Sequence, residues 1–312
     1  MKIYIYNHRN VTDYLKDVFL NHLLWSNSIE IHTNMWNAIN FKDYGEDRLK
    51  KLYGNGHTVW GKLESWNKDK LNFVGVADIK KTDYDYIVFS EVIGLQLLME
   101  DPNTNSLMDF PPWLTKVFEK YKREQIIVLD GLDRDTVNEK IVDRTTYYKR
   151  EIGTNCQHLD IHPISFAYPA YAPTPKISDK TYLLAPCDPR FAPNSYVFGN
   201  EFYYNMQYSK ALFAVTTKKG GWDCMRHYEI IANNCVPYFP GIENKPKLTM
   251  KNYPVKLQEE ANKLYEDMAI GAEPIKITDQ YVKIKQEFTD WMYDYGTSYI
   301  YPKLFVDNNS KL

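Results

Sequence analysis

Two short apolar runs, DYIVFSE (85–91) and IIVLDG (126–131), each carry an acidic residue at their end. Between them PPWLTKVFEKYKR (111–123) opens on prolines and continues with helical spacing of its apolar residues. Proline suits the first turn of a helix, and strand, helix, strand at this separation predict a parallel βαβ unit. Residues that follow such strands lie at the carboxyl edge of the sheet, where open α/β folds bind ligands. Glu91, Asp130, Asp133 and Asp135 all follow these runs, so they are the candidates for a catalytic carboxylate.

The alternation extends in both directions. MKIYIYN gives a first strand over 2–7, and Val11, Tyr14, Leu15, Val18, Phe19 and Leu23 recur at the spacing of one buried helix face. IEIHT (29–33) reads as a second strand. Beyond the middle come TYLLAP (181–186), a helix around 200–208, ALFAVTT (211–217), a helix beginning near Trp222, and VPYF (236–239). Amphipathic helices over 255–268 and 277–295 close the pattern. The stretch 162–180 holds Pro163, Pro169, Pro173 and Pro175, which disfavour continuous helix and read as a linker. With 312 residues to divide, two α/β domains meeting at a cleft are expected. The first covers 1–160 and the second 161–276, and 277–312 form a helix returning to the first domain plus a polar tail.

Residues 41–70 interrupt this regularity with glycines at 45, 54, 56 and 61 and aromatics at Tyr53, Trp60 and Trp66. A polar excursion of this length inside a compact domain is usually functional. Trp60 and Trp66 are therefore candidates to stack on an acceptor. Charge excludes a strongly basic nucleic-acid binder: 38 Lys and Arg face 40 Asp and Glu, a net charge of −2. Phosphate contacts would have to come from local groups such as Lys50, Lys51, Lys116, Lys120, Lys122 and Arg123, which read more simply as solvated faces. The four cysteines form no CxxC pair, so reduced thiols are expected. CQHLDIH (156–162) offers Cys156, His158 and His162 but no fourth ligand, and no metal site is expected there. No apolar run approaches the roughly 18 residues that cross a bilayer, and the N-terminus lacks the features of a signal peptide. A soluble, cytoplasmic protein is expected, in which the sequons at Asn10 and Asn308 carry no function.

The richest chemistry lies in ALFAVTTKKGGWDCMRHYEIIANNCVPYFPG (211–241). A strand runs into Lys218-Lys219-Gly220-Gly221 and then into a helix. Glycines let backbone approach an anion, and a helix N-terminus supplies free N–H groups with a positive dipole. Lys218, Lys219 and Arg226 add formal charge, so the segment suits a diphosphate. Trp222 and Glu229 fall on roughly one helix face, as do Asp223, Arg226 and Glu229. Glu229 could accept from a ribose diol, or could serve as the ion-pair partner of Arg226; spacing leaves both open. Asn233-Asn234 suits a left-handed helix end.

Lys218, Gly220, Gly221, Trp222, Asp223, Arg226, Glu229, Asn234, Cys235 and Pro237 resemble the nucleotide-sugar-binding half of GT-B glycosyltransferases. The likeness is to the exostosin-like group and related viral and phage enzymes. IIVLDG, TTYYKREI (145–152) and HPISFAYP (162–169) extend it over roughly 126–250, and it fades over 1–120. The resemblance implies a GT-B-like α/β fold of two Rossmann-like domains facing a cleft. It implies transfer of a sugar from a nucleotide-sugar donor, a UDP-sugar in the first instance, to a hydroxyl of a glycan or of a hydroxymethylated DNA base. By the same resemblance Glu229 would bind the donor ribose, and Arg226 and Lys218 the diphosphate, without a metal or other cofactor. Two alternatives stand beside it. One is a metal-dependent GT-A enzyme using Asp133 and Asp135 (Asp83-Tyr84-Asp85 is a second formal Asp-x-Asp match); the other is a non-catalytic sugar- or nucleotide-binding protein.

Overall fold

The computed structural model describes residues 1–8, 12–26, 29–35, 38–92, 111–170, 179–190, 198–271 and 277–306, with backbone only at Ser26, Tyr53 and Val306. Among these, seven parallel strands form the larger sheet. They are β1 (Lys2–Tyr6), β2 (Glu30–Thr33), β3 (Leu71–Phe73), β4 (Tyr86–Phe89), β5 (Ile126–Asp130), β6 (Thr146–Lys149) and β7 (Ile161–Pro163). The order β3-β2-β1-β4-β5-β6-β7 makes this a Rossmann-like α/β sheet, with the strand order reversing between β1 and β4. Period-two alternation covers both faces. Ile3, Ile5, Val88, Ile127 and Leu129 pack on helix α1 (Tyr14–Ser26), whereas Tyr4, Ile87, Phe89 and Val128 pack on helix α2 (Pro112–Lys120).

A smaller parallel sheet follows, in the order β10-β9-β8, from β8 (Tyr182–Leu184), β9 (Ala211–Val215) and β10 (Val236–Tyr238). Its longer helices are α3 (Glu201–Ser209), α4 (Met225–Ala232), α5 (Val255–Ile270) and α6 (Asp279–Trp291). Helix α4 ends as the sequence suggests. Asn234 takes φ +61°, its N–H bonds to the carbonyl of Ile231, and that of Cys235 to Ile230, a paired closure that satisfies the last carbonyls.

Three expectations are corrected. The proline-rich stretch does not begin as linker: Ile161–Pro163 is an edge strand paired with β6, where proline forfeits no ladder bond, and Ile164, Phe166, Ala167 and Tyr168 beyond it are buried. The first sheet therefore runs past residue 160. Strands β3 and β6 were not anticipated, because LNF and TYYK are too short to show alternation. Helix α6 does not itself return to the first sheet; Tyr281 on it donates to the carbonyl of Leu212 in β9. The return is made after the π-helical turn Met292–Gly296. There Ser298 bonds to His22 at 2.9 Å, Tyr86 donates to the carbonyl of Phe305, and Tyr301 packs on Phe19. Asn10, Pro173, Pro175, Asn308 and the polar tail from 307 lie outside the described residues. Among the described residues no helix is long and apolar enough to cross a membrane.

Candidate functional site

Loops at the carboxyl edge of β1, β5 and β6 face the turn between β9 and α4 across a cavity of about 360 Å³. Residues 12–14, 131–133 and Arg150 come from one side and residues 219–221 and 223–226 from the other, and Gly54, Asn55, His57 and Trp60 of the polar excursion reach in. Both the carboxyl edge and the excursion thus contribute to one site.

Arg226, the second residue of α4, is the group that stands out. It is only 6% exposed and lines the cavity, and its Nε and Nη1 have no hydrogen-bond partner. Among the described residues no carboxylate lies within ion-pair distance of it, so of the two readings that spacing left open the Arg226–Glu229 ion pair is absent. A guanidinium keeps its charge under all ordinary conditions, and burying it with donors unused is costly. Around it, α4 opens at Cys224 with no side-chain cap and no acidic residue in its first turn. The N–H groups that open such a turn, together with an arginine, are donors that could take an anion.

Glu229, one turn further on, also lines the cavity, but both its oxygens are occupied. Thr58 Oγ1 donates to Oε1 at 2.6 Å and Tyr204 Oη to Oε2 at 2.7 Å, with Tyr208 donating in turn to Tyr204. Asp223 is a structural group. Its carboxylate accepts from the Phe166 N–H and the Tyr228 hydroxyl, and burial holds it above the ordinary carboxylate range.

Gly220 and Gly221 line the cavity and also leave room for neighbouring side chains. A side chain on Gly221 would collide with Arg150 and Glu151, and one on Gly220 with Asp133. Arg150 is fully buried and fully engaged, donating to Glu151, Asp133 and the carbonyls of Gly131 and Asp223, with its guanidinium 4.4 Å from the Phe166 ring centre. This arginine stitches β6 and the β5 loop to the turn before α4. Its signal was present in TTYYKREI, but an arginine directly after a strand does not announce that it closes a ring of four partners.

Several candidates are relocated. Asp130, expected as a base, does not line the cavity: it is 1% exposed and accepts from Lys149 (2.8 Å), Tyr147 (2.7 Å) and the Leu132 N–H. Glu91 is buried just beyond β4 and likewise outside the cavity. Asp133 does line it, paired to Arg150, whereas Asp135 accepts from Asn155. Lys218 sits over the Trp222 ring, 5.3 Å from its centre, and neither lines the cavity; Lys219 does. Trp60 is a wall with no free face, packed on Tyr14 and donating to Asp17. Trp66 is 58% exposed, capped by the Lys70 ammonium, and remote from the cavity lining. Lys120 and Arg123 are held by Asp83 and Asp160, on α2 and beyond it rather than at the site. Cys156 is buried against Gly153 and His162 leans on Tyr148; among the described residues no three metal-ligating side chains gather anywhere.

Asp13 is the cavity residue the sequence reading missed. It follows β1 and caps α1 through the Lys16 N–H, and its carboxylate lies against Gly131. Burial of that carboxyl raises it above its ordinary range, offset in part by Lys16 and Arg150. The carboxyl-edge rule that selected Asp130 applies equally after β1, so the signal was available.

His227 behind the cavity gives a pH test. Its Nε2 donates to the carbonyl of Trp222 at 2.7 Å and its Nδ1 accepts from Thr216, and burial lowers it from 6.5 to about 4. Between pH 6.5 and about 4 the unfolded chain binds the proton that the folded chain refuses, so stability is lost as pH falls through that window. The loss amounts to about 3 kcal/mol. Urea unfolding of wild type and His227→Gln at pH 7 and pH 4.5 should show the smaller pH loss in the variant. Equal losses would show that His227 is not neutral in the fold. Taking the difference removes the opposite contributions of Asp13 and Asp17, whose buried carboxyls are raised.

No protein-family model matches the chain, and no curated protein is significantly similar to it.

Proposed function

We propose that this chain is a nucleotide-sugar-dependent glycosyltransferase of GT-B-like arrangement, with the donor diphosphate held by Arg226 and the N-terminus of α4. The observation that carries the reading is the Arg226 guanidinium, which is buried at the cavity wall with Nε and Nη1 unused, at a helix start without a side-chain cap. A dianionic leaving group supplies what those donors lack, and fixed donors aimed at a developing anion are an effective way to lower the barrier to its departure. Glu229 accepts from the donor ribose. Asp13 is the half-buried carboxylate placed to take the proton from the acceptor hydroxyl as that oxygen bonds to the anomeric carbon and the bond to the diphosphate breaks. A raised carboxyl suits that role near neutral pH. The acceptor is a hydroxyl of a glycan or of a hydroxymethylated base. The lysines that would track a duplex lie away from the cavity lining, which favours the glycan.

Calorimetric titration of UDP and GDP tests this directly. At least one should bind the wild type with a dissociation constant below a millimolar, and to the same extent in EDTA. Absence of binding by both at millimolar concentration, in the wild type and in Thr58→Gly alike, overturns the proposal. Binding that requires manganese would favour the reading in which Asp133 and Asp135 hold a metal.

A further inference from the structure

The polar excursion is fastened to the second sheet's side of the cavity by a row of bonds centred on Thr58. The Thr58 N–H donates to Glu201 at 2.8 Å, and its hydroxyl to Glu229 at 2.6 Å. Lys62 pairs with the other oxygen of Glu201, and Asn55 and His57 both donate to the carbonyl of Phe198 (2.9 and 2.8 Å). The His57 ring stacks on Tyr204, the second donor to Glu229. Thr58 is buried and sits at φ +72°, a left-handed backbone that a β-branched residue adopts only under constraint. Its two carboxylate contacts are the constraint.

We infer that residues 54–62 form a strap that competes with the ligand for Glu229. Resting on the reading of Glu229 as the ribose acceptor, the inference is that the Thr58 hydroxyl occupies the place on Oε1 that a donor hydroxyl takes. Each is an O–H donating to the same carboxylate oxygen, and with Thr58 Oγ1 already 2.6 Å from Oε1 an arriving hydroxyl must either take the other lone pair or displace it; the strap requires displacement. Nucleotide binding displaces Thr58, removes the bond that keeps its backbone left-handed, and loosens the strap over the cavity. The coupling is reciprocal: whatever loosens the strap tightens the nucleotide. Thr58 is a positioning residue in this scheme, and its loss acts through Glu229.

Thr58→Gly tests it, because glycine tolerates the left-handed backbone while removing the hydroxyl. UDP affinity should rise about tenfold or more, the range set by one hydrogen bond to a charged group, while the melting temperature falls. Thr58→Ser, which keeps the hydroxyl, should bind as wild type does. Lys62→Met, which frees the strap at Glu201 without touching Glu229, should shift affinity in the same direction by a smaller factor. Hydrogen exchange across 54–62 should quicken when UDP is added to the wild type. A purely structural Thr58 predicts the opposite sign, with affinity falling together with stability. If wild type binds UDP and Thr58→Gly binds it equally or more weakly, the strap is overturned and the nucleotide site stands. Binding by Thr58→Gly and Lys62→Met but not by wild type would support a strap that holds the site shut. Binding by none of them overturns the nucleotide reading, and the strap with it.

Discussion

Replacing Arg226 with methionine should make the protein more stable and unable to hold a nucleoside diphosphate. The wild type buries a guanidinium whose Nε and Nη1 go unused, and methionine fills similar space without the charge. Substituting well-packed apolar residues for buried ionic groups has stabilised other proteins by about 1–4 kcal/mol, and an unpaired charge is the more favourable case for such a change. Against that gain, two charge-assisted hydrogen bonds to phosphate are each worth roughly 1.5–3 kcal/mol, so affinity for UDP should fall by about a hundredfold or more. Thermal melts and calorimetry on the same preparation provide the check. A variant that melts lower and binds as before would mean that Arg226 is a structural element and that the cavity does not receive an anion there.

Asp130 should behave in the contrary way. Lys149 is 0% exposed and its ammonium has Asp130 as its carboxylate partner, with Tyr147 donating to the same oxygen. Asp130→Ala leaves that ammonium buried without its partner, which costs about 3–5 kcal/mol. Urea denaturation should register the loss, and adding Lys149→Met should recover most of it, because removing both charges removes the unpaired one. Nucleotide affinity in the folded fraction should not change. A folded Asp130→Ala protein of wild-type stability, with transfer abolished, would restore Asp130 as the catalytic base.

The contrast between these two residues marks where sequence reading stops. The strands β1, β2, β4, β5, β8, β9 and β10 were visible because their apolar residues are contiguous or alternate, and the helices because theirs recur at three-to-four spacing. Asn234 as a left-handed helix end and a helix soon after Gly220-Gly221 were legible for a similar reason: a cap and a helix terminus are built by neighbours in sequence. Strand β7 was missed because its proline reads as linker until the edge position that tolerates it is known.

The site divides in the same way. Charge type and spacing alone picked out Arg226, Glu229, Asp130 and Asp133 as groups with chemistry to offer. Which of them is satisfied depends on partners far along the chain. Thr58 reaches Glu229 across 171 positions, and Arg150 engages the Asp223 carbonyl across 73. No local pattern encodes such pairings, because they follow from how the sheets bring their carboxyl edges together. Sequence by itself determined the parallel α/β elements and the inventory of charged groups at their ends. Only the tertiary structure decided that Asp130 is spent on Lys149, that Gly221 makes room for the Arg150–Glu151 pair, and that Arg226 is left with donors to give. A buried charge becomes a structural strut or a binding group according to whether the fold supplies its counter-charge, and that is a property of three-dimensional neighbours.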